Sequence, residues 1–418
     1  MAPLRYAKYE ATLQDLDAAD LMRMLQDRLT GSGFDQDPFD PDPEAGTTMQ
    51  DLYEAIAQAL HDADLLPDDL LEEAFEADDW MDSALGRTVR DLAAKLEAAG
   101  FVRAEGGRSL ADAAAEGDGA EGEPDDPADA TFALTDAAAD LLGQRTFEHL
   151  VGGRGGDPGG AHRTRFTDAG VEANGASRPW SFGDAMHLDV AETFKSALAR
   201  GGADLTLEDG DLHVLEADRS ETAATVVMLD VSHSMILYGE DRFTPAKQVA
   251  LALAHLIRTR YPGDVVKFVL FHDRAEEVSL AQLTTARVGP YHTNTAGGLE
   301  VARRLLKRER AAIKQIVMIT DGKPTALSMP DGRVYVNAMG LDPLVMGRTL
   351  REVAGCRRDG VVINTFMLAR DPELVAFVRR VSDMTHGRAT FTTPRTIGET
   401  VLRDYERGRA QGGGRNLN

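Results

Sequence analysis

The sequence holds little that could cross-link or anchor the chain. It has one cysteine, Cys356, among 418 residues, so no disulfide can form within the chain. Cys356 lies in a helical pattern, and we predict that it is a small core residue rather than a nucleophile. No apolar run approaches the ~18 residues of a membrane span, and residues 1–17 lack the apolar stretch of a secretory signal. We therefore expect a cytoplasmic protein.

A phosphate-binding loop is also missing. The pattern Gly-x-x-x-x-Gly-Lys-Ser/Thr does not occur, which excludes ATP binding by that route. Residues 151–180 are glycine-rich and locally basic, and we predict that they form a linker. Residues 181–222 then predict a helix and a hairpin that turns at Asp209–Gly210 and braces the next domain.

Acidic charge is concentrated in one part of the chain. Residues 1–150 hold 36 Asp and Glu against 10 Lys and Arg, whereas the remaining residues carry a balance of +2. Such a segment repels nucleic acid and anionic membranes, and it attracts a basic protein surface. We expect no nucleic-acid or membrane partner, and we interpret most of these acids as an aid to solubility.

Residues 1–100 carry helical patterns. Leucines recur every fourth residue from Leu21, and Thr48 is predicted to cap the helix that follows it. Residues 35–43 contain too much proline and aspartate for a helix, so we predict a loop there.

Residues 104–130 are acidic and nearly free of large apolar side chains. They cannot bury enough surface to offset the entropy lost on folding, so we predict a disordered insertion. The stretches on either side of it, LEAAGFVRAE and TFALTDAAADLLG, resemble the hairpin of a winged-helix module. The acidity of this region would favour a protein contact over DNA.

The C-terminal half alternates between strand and helix patterns. Apolar runs typical of strands covered on both faces predict strands at 225–229, 265–271, 313–319, 361–367 and near 388–392. Thr244-Pro245 and Asp371-Pro372 each predict a capped helix start. We therefore predict an α/β fold with a doubly wound, mostly parallel, Rossmann-like sheet over residues 223–410, followed by a disordered tail at 411–418.

Oxygen-bearing side chains occur in three motifs at the ends of these elements. Asp230, Ser232 and Ser234 form a D-x-S-x-S string, Thr293 precedes a predicted helix, and Asp321 follows a predicted strand. Ligands of open α/β sheets bind at the carboxyl edge, where these motifs are predicted to meet. Oxygen ligands suit a hard cation such as Mg²⁺, with Mn²⁺ or Ca²⁺ as alternatives.

The three motifs, DVSHSM, TNTAGGL and MITDGKP, together resemble the metal-ion-dependent adhesion site (MIDAS) of von Willebrand factor A (VWA) domains. The resemblance implies that Ser232, Ser234 and Thr293 bind the metal directly, and that Asp230 and Asp321 act largely through water. One position is then left for a carboxylate of a partner protein. Because His233 is predicted to point away from the ion, we expect no catalytic residue here.

Further stretches of the chain are RYAKYE, LTDAAADLLGQRTFEHL, SFGDAMHLDVAETFKSALAR and VINTFML. Together with the three motifs, they resemble bacterial intracellular VWA proteins related to the magnesium-chelatase integrating subunit and to partners of MoxR-type AAA+ ATPases. Lys323 departs from the acid expected in D-G-E-P-T. The resemblance implies an adaptor, not an enzyme, between such an ATPase and a client that presents Asp or Glu. Two alternatives remain: a self-associating scaffold, or a metal-dependent phosphohydrolase that uses Asp230 as nucleophile, although D-V-S-H-S lacks the second aspartate of a D-x-D site.

Overall fold

The fold was analysed in a computed structural model. The structure describes residues 16–31, 48–67, 70–71, 73–74, 77, 79–104, 131–152, 172–181, 188–202, 206–218, 222–337, 340–369 and 371–412. The chain divides into two compact units. One comprises Met1–Gly155 with Ala223–Glu406, and the other comprises Gly156–Thr222 with Arg407–Asn418. No described helix is both long and apolar enough to cross a membrane.

The N-terminal domain is helical, as its leucine spacing predicts. Its elements are α1 (Ala18–Met24), α2 (Gln26–Leu29), α3 (Met49–Asp62), α4 (Ala84–Ala98), β1 (Val102–Ala104), β2 (Phe132–Leu134) and α5 (Asp136–Gly152). Thr48 caps α3 in a reciprocal capping box with Asp51, which confirms the predicted cap. The apolar faces of α1, α3 and α4 form one core with β1, β2 and α5.

Helices α4 and α5 flank the antiparallel pair β1 and β2, so the two stretches that resemble a winged-helix hairpin do form a strand pair. Ala104 belongs to β1, so the predicted insertion begins one residue too early. The rest of that insertion, at 105–130, and the predicted loop at 35–43 lie outside the described residues.

The second unit corrects two predictions. It contains β3 (Glu172–Pro179), α6 (Val190–Gly201) and β4 (His213–Asp218), and β3 pairs antiparallel with β4. The strand β3 lies inside the stretch 151–180 that composition assigned to a linker, and its backbone pairs with β4, which is distant in the sequence. Residues 153–171 lie outside the described part of the chain.

The predicted hairpin at Asp209–Gly210 was also wrong, because Asp209–Asp211 form a 3-10 turn instead. Asp211 is buried there and accepts hydrogen bonds from Arg200 and from the amide of Glu208. Those bonds fix the turn that leads into β4.

A six-stranded sheet forms the centre of the C-terminal domain. Its strands are β5 (Ala223–Asp230), β6 (Val265–Phe271), β7 (Ala275–Val278), β8 (Ile313–Thr320), β11 (Val361–Met367) and β12 (Ala389–Phe391). Between β8 and β11 the chain forms a separate hairpin of β9 (Ala326–Ser328) and β10 (Val334–Val336). The order is β12-β11-β8-β5-β6-β7, and only the β6–β7 pair is antiparallel. The predicted mostly parallel sheet is confirmed. Strand β7 was missed because its sequence, AEEV, carries exposed glutamates at a sheet edge.

Helices cover both faces of this sheet. They are α7 (Phe243–Arg260), α8 (Leu280–Thr285), α9 (Thr295–Arg308), α10 (Pro343–Arg358), α11 (Pro372–Met384) and α12 (Ile397–Gly412). Val227 of β5 contacts the core formed with α7 and α12, whereas its neighbour Met228 contacts the core formed with α9, α10 and α11. Burial on both faces explains why all eight residues of β5 are buried.

Two helix boundaries differ from their predictions. Helix α7 begins at Phe243, one residue before the predicted cap Thr244. The amide of Thr244 donates a hydrogen bond to Asp241 Oδ1 at 3.0 Å, so Asp241 supplies the capping oxygen instead. Helix α12 extends to Gly412, into the predicted tail, and residues 413–418 lie outside the described part. The predicted cap at Asp371 is confirmed, with Pro372 as the first helical residue.

The N-terminal domain packs directly on the C-terminal sheet domain. Phe147 and Leu150 of α5 contact the core that surrounds α7. Gly143 approaches α7 so closely that an added Cβ would lie 2.9 Å from the carbonyl oxygen of Leu251. Arg258 of α7 pairs with Asp140 of α5 at 2.8 Å. The two domains therefore share an interface along α5 and α7.

Candidate metal centre

The five predicted ligands lie at the carboxyl edge of the sheet. Asp230 ends β5, and Ser232 and Ser234 lie in the turn that follows it. Asp321 directly follows β8, the parallel neighbour of β5. Thr293 lies two residues before α9, whose N-cap is Asn294. The topology thus delivers three separate loops to one edge.

Hydrogen bonds connect all five side chains. The hydroxyl oxygen of Ser232 lies 3.0 Å from that of Ser234 and 2.9 Å from that of Thr293. Ser234 Oγ donates to Asp321 Oδ1 at 2.7 Å, and the Ser232 amide donates to Asp230 Oδ1 at 2.9 Å. The structure therefore brings the predicted set together, while metal binding by this set stays a prediction.

Both carboxyl groups are held away from water. Asp230 is fully buried, and this burial, reinforced by the charge of Asp321, raises the pKa of Asp230 to about 7. Burial also raises the pKa of Asp321, against the opposing effect of its bonds from Ser234 and Arg242. A cation between these two carboxylates would offset the cost of burying their charge.

Three further residues shape the site and were missed by sequence reasoning. Thr320 Oγ1 donates a hydrogen bond to Asp230 Oδ2. Arg242 Nη1 donates to Asp321 Oδ2 at 2.6 Å. Thr320 and Gly322 flank Asp321 in the T-D-G string, so their position was a usable signal. Arg242 carries no such signal, because its approach depends on the path of the loop before α7.

Gly322 lies against the centre of the cluster. A Cβ added there would lie 2.9 Å from both Ser234 Oγ and Thr293 Oγ1, and 3.5 Å from Asp230 Oδ2. Glycine thus preserves space in front of the oxygens. Together with a donor set made only of hydroxyls and carboxylates, that space fits a hard divalent cation.

An open cleft of about 1030 Å³ extends from these oxygens along the carboxyl ends of β8, β11 and β12. Leu368, Leu374 and Pro394 also line the cleft. Lys323 forms an ion pair with Asp371 at 2.9 Å, also in the cleft wall. The cleft is therefore large enough to admit a segment of another protein beside the oxygen cluster.

The two neighbouring histidines make other contacts. The amide of His233 donates to the Tyr291 carbonyl at 3.0 Å, and the buried Nδ1 of His233 has no hydrogen-bond partner in the described residues. The Nδ1 atom of His292 lies 3.2 Å from Asp273 Oδ1. His292 is thus oriented by Asp273, not by the ligand hydroxyls.

The hairpin formed by β9 and β10 contacts Thr293 through its base. Strands β9 and β10 pair antiparallel, and Gly332 in their turn has φ +83°, a conformation that glycine adopts readily. Thr325 anchors its base, because its amide donates to the Thr293 carbonyl at 2.9 Å and its hydroxyl accepts from the Thr293 amide at 3.0 Å. The hairpin therefore helps to fix a candidate ligand.

A protein-family model matches the part of the chain that carries the five oxygen-bearing side chains. Residues 223–406 match the family model described as "Rv0959-like protein, vWA domain". The chain contains a von Willebrand factor A domain. Residues 172–217 match "Rv0959-like protein, third domain". The VWA domain thus covers the whole sheet, and the third-domain match covers the β3–α6–β4 unit.

Two mycobacterial relatives have the same level of similarity. The sequence is 32% identical over 297 residues to the uncharacterized proteins Rv0959 of Mycobacterium tuberculosis H37Rv and Mb0984 of Mycobacterium bovis. Each match covers 69% of this chain and 44% of the relative. The chain therefore spans less than half the length of these relatives.

Solved structures give more distant matches. A von Willebrand factor type A protein from Catenulispora acidiphila is 19% identical, with coverage of 49% of this chain and 45% of that chain and a TM-score of 0.34. The vWF domain of the pilus tip protein Mfa5 from Porphyromonas gingivalis is 15% identical, with coverage of 48% and 98% and a TM-score of 0.36. These scores are too low to support a functional comparison.

Proposed function

We propose that the protein is a metal-dependent adaptor that binds a carboxylate of a partner protein through Mg²⁺ at the MIDAS-type site. The observation that carries this proposal is the hydrogen-bonded cluster of Asp230, Ser232, Ser234, Thr293 and Asp321 at the end of an open cleft. Mn²⁺ and Ca²⁺ also prefer oxygen ligands, so they are alternative ions.

Charge favours a carboxylate as the partner group. The three hydroxyl ligands are neutral, and Arg242 already compensates part of the charge of Asp321. A divalent cation held here keeps net positive charge toward the cleft. An Asp or Glu side chain from another protein would supply both the missing oxygen ligand and the missing negative charge.

The surroundings of Asp230 support binding rather than catalysis. Its side chain is fully buried, and its two oxygens accept hydrogen bonds from the Ser232 amide and from Thr320. A nucleophilic carboxylate must reach the substrate, and this one is directed into the protein. We therefore propose a non-enzymatic role.

The proposed partners are a MoxR- or chelatase-type AAA+ ATPase and a client protein, in the cytoplasm. The support for this choice is the sequence resemblance of the regions around the VWA motifs. The N-terminal helical domain, packed along α7, supplies a second surface for one of these partners.

A pull-down tests the proposal. The full chain should retain the AAA+ ATPase or a client from its own cell extract in Mg²⁺ and lose it in EDTA. The double variant Ser232→Ala/Ser234→Ala should lose it in both conditions. Capture that EDTA does not affect would contradict a metal-bridged contact. EDTA-sensitive oligomers of the purified chain would instead favour a self-associating scaffold.

A further inference from the structure

A lysine is buried between the N-terminal domain and the VWA domain. Lys247 of α7 has no solvent exposure. Its Nζ donates hydrogen bonds to three carbonyl oxygens, those of Gly31 at 3.1 Å, Thr284 at 3.0 Å and Ala286 at 2.8 Å. An ammonium group has three donors, so every donor of Lys247 is used.

These carbonyls come from distant parts of the chain. Gly31 follows α2 in the N-terminal domain, while Thr284 and Ala286 lie at the C-terminal end of α8. A cation is favourable at a helix C-terminus, where the carbonyls lack helical partners. The ring of Phe243 lies 5.2 Å from the same Nζ. Lys247 therefore links the C-terminal end of α8 to the N-terminal domain.

Arg287, the residue after Ala286, also interacts with the N-terminal domain through charge. Burial lowers the pKa of Arg287, and the negative charge of Asp51, in α3 of the N-terminal domain, opposes that shift. Asp51 and Arg287 therefore interact electrostatically. The hydrogen bonds of Lys247 connect the N-terminal domain to this turn, and the charge of Asp51 acts on the neighbouring Arg287 in the same direction.

The turn leads straight to the candidate metal ligands. Thr293 lies seven residues after Ala286. Within this segment the Tyr291 carbonyl accepts from the amide of His233, which lies between the two ligand serines. The segment is tightly packed, since a Cβ on Gly289 would lie 2.1 Å from the Tyr291 ring. A shift of Ala286 would therefore be transmitted to Thr293 and to the serine loop.

We infer that Lys247 is a positioning residue for the MIDAS-type site, through which the N-terminal helical domain fixes the segment 286–293. This inference rests on the proposed metal binding at Thr293 and the serines. The N-terminal domain is then a structural part of the metal site, although it provides none of the five proposed ligands.

The test compares two variants of the full chain. Lys247→Met keeps an unbranched side chain that is one atom shorter, and it removes the three hydrogen bonds. Arg258→Met is the matched control, because it removes the Arg258–Asp140 pair from the same α5–α7 interface, away from the turn. Mn²⁺ affinity is measured by isothermal titration calorimetry, and hydrogen exchange is measured at 286–293.

Lys247→Met should weaken Mn²⁺ binding by roughly 10-fold, the lower end of the effect expected for residues that orient ligands. It should also speed amide exchange at 286–293. Arg258→Met should change neither. Equal Mn²⁺ affinity and equal exchange in Lys247→Met and the wild type would overturn the inference.

The exchange data separate the two proposals. If the wild type binds no Mn²⁺, the proposed function fails, whereas faster exchange at 286–293 in Lys247→Met but not in Arg258→Met would still show that Lys247 fixes this segment. If Lys247→Met does not fold, exchange of the wild type with and without Mn²⁺ decides. Slower exchange with Mn²⁺ at both 286–293 and 26–31 supports the inference, and protection confined to the metal loops contradicts it.

Discussion

Arg242 and Ser234 bind opposite oxygens of the same carboxylate. Arg242 Nη1 donates to Asp321 Oδ2 at 2.6 Å, and Ser234 Oγ donates to Oδ1 at 2.7 Å. Asp321 is therefore fully engaged before any metal is considered, and part of its charge is already compensated. We therefore expect Arg242 to stabilise the metal-free protein and to compete with the proposed cation for Asp321.

Replacing Arg242 should thus destabilise the metal-free protein more than the metal-bound protein. Arg242→Met leaves a buried carboxylate without its partner, which should lower the metal-free stability by about 3 kcal/mol. Mg²⁺ should restore much of that loss, so the rise in Tm on adding Mg²⁺ should be larger in the variant than in the wild type. Differential scanning fluorimetry measures both effects.

A surface pair provides the control for Arg242. Arg260 and Glu406 form an ion pair in which both side chains are about half exposed. Arg260→Met should change stability by less than about 1 kcal/mol, with no dependence on Mg²⁺. An equal response to Mg²⁺ in Arg242→Met and Arg260→Met would show that Arg242 does not act on the site.

Gly322→Ala should block the site without unfolding the domain. The new methyl group would lie 2.9 Å from the Ser234 and Thr293 hydroxyl oxygens, in the space proposed for the cation. We expect Mn²⁺ affinity to fall by at least about 10-fold, as measured by calorimetry.

Gly347→Ala is the matched control for Gly322. Gly347 lies within α10, and an added Cβ there meets no other atom within 4 Å. This substitution should leave Mn²⁺ binding unchanged and stabilise the helix by up to about 1 kcal/mol. Unchanged Mn²⁺ affinity in Gly322→Ala would place the ion elsewhere.

Asp230 should make the metal-free stability depend on pH. Because burial raises its pKa to about 7, the folded protein binds a proton between pH 4 and 7 that the unfolded chain releases. Stability should therefore fall as pH rises through this window, by up to about 4 kcal/mol for this group. Saturating Mg²⁺ should reduce the fall, since it compensates the carboxylate.

Urea unfolding at pH 5, 6, 7 and 8 checks this dependence, with Asp230→Asn as the comparison. The variant lacks the titrating group, so its free energy of unfolding should change less over the window. Identical pH profiles of the variant and the wild type in EDTA would mean that Asp230 is already ionised in the folded protein at pH 5.

Cys356 should be inert in the folded protein. It is buried in α10, and this burial raises the pKa of its thiol to about 12. Because the thiolate is the reactive form, a thiol reagent at pH 8 should modify Cys356 only at the rate of unfolding. Rapid modification under native conditions would contradict its assignment as a core residue.

Local sequence patterns predicted those elements whose residues are close in the chain. The Thr48 and Asp371 caps depend on contacts with residues two or three positions away, and both are confirmed. The buried strands were visible because helices cover both faces, which leaves continuous apolar runs such as β5. The three motifs of the candidate site could be placed together because two of them lie at the ends of parallel strands and the third lies at the start of a helix.

The sequence patterns did not predict contacts between residues that are far apart in the chain. Arg242 approaches Asp321 across 79 positions, and Lys247 reaches Gly31 across 216. Neither contact has a local periodicity, so both residues looked like ordinary charged positions. Strand β3 escaped for a related reason, because only its pairing with β4 defines it.

The central claim is that one divalent cation binds among the five oxygen-bearing side chains. Calorimetric titration of the metal-free full chain with Mn²⁺ tests it most directly, beside the variant Ser232→Ala/Ser234→Ala. We predict one bound ion per chain in the wild type and no saturable binding in a double variant that keeps its fold by circular dichroism. No uptake by the wild type, or equal uptake by both proteins, would contradict the claim.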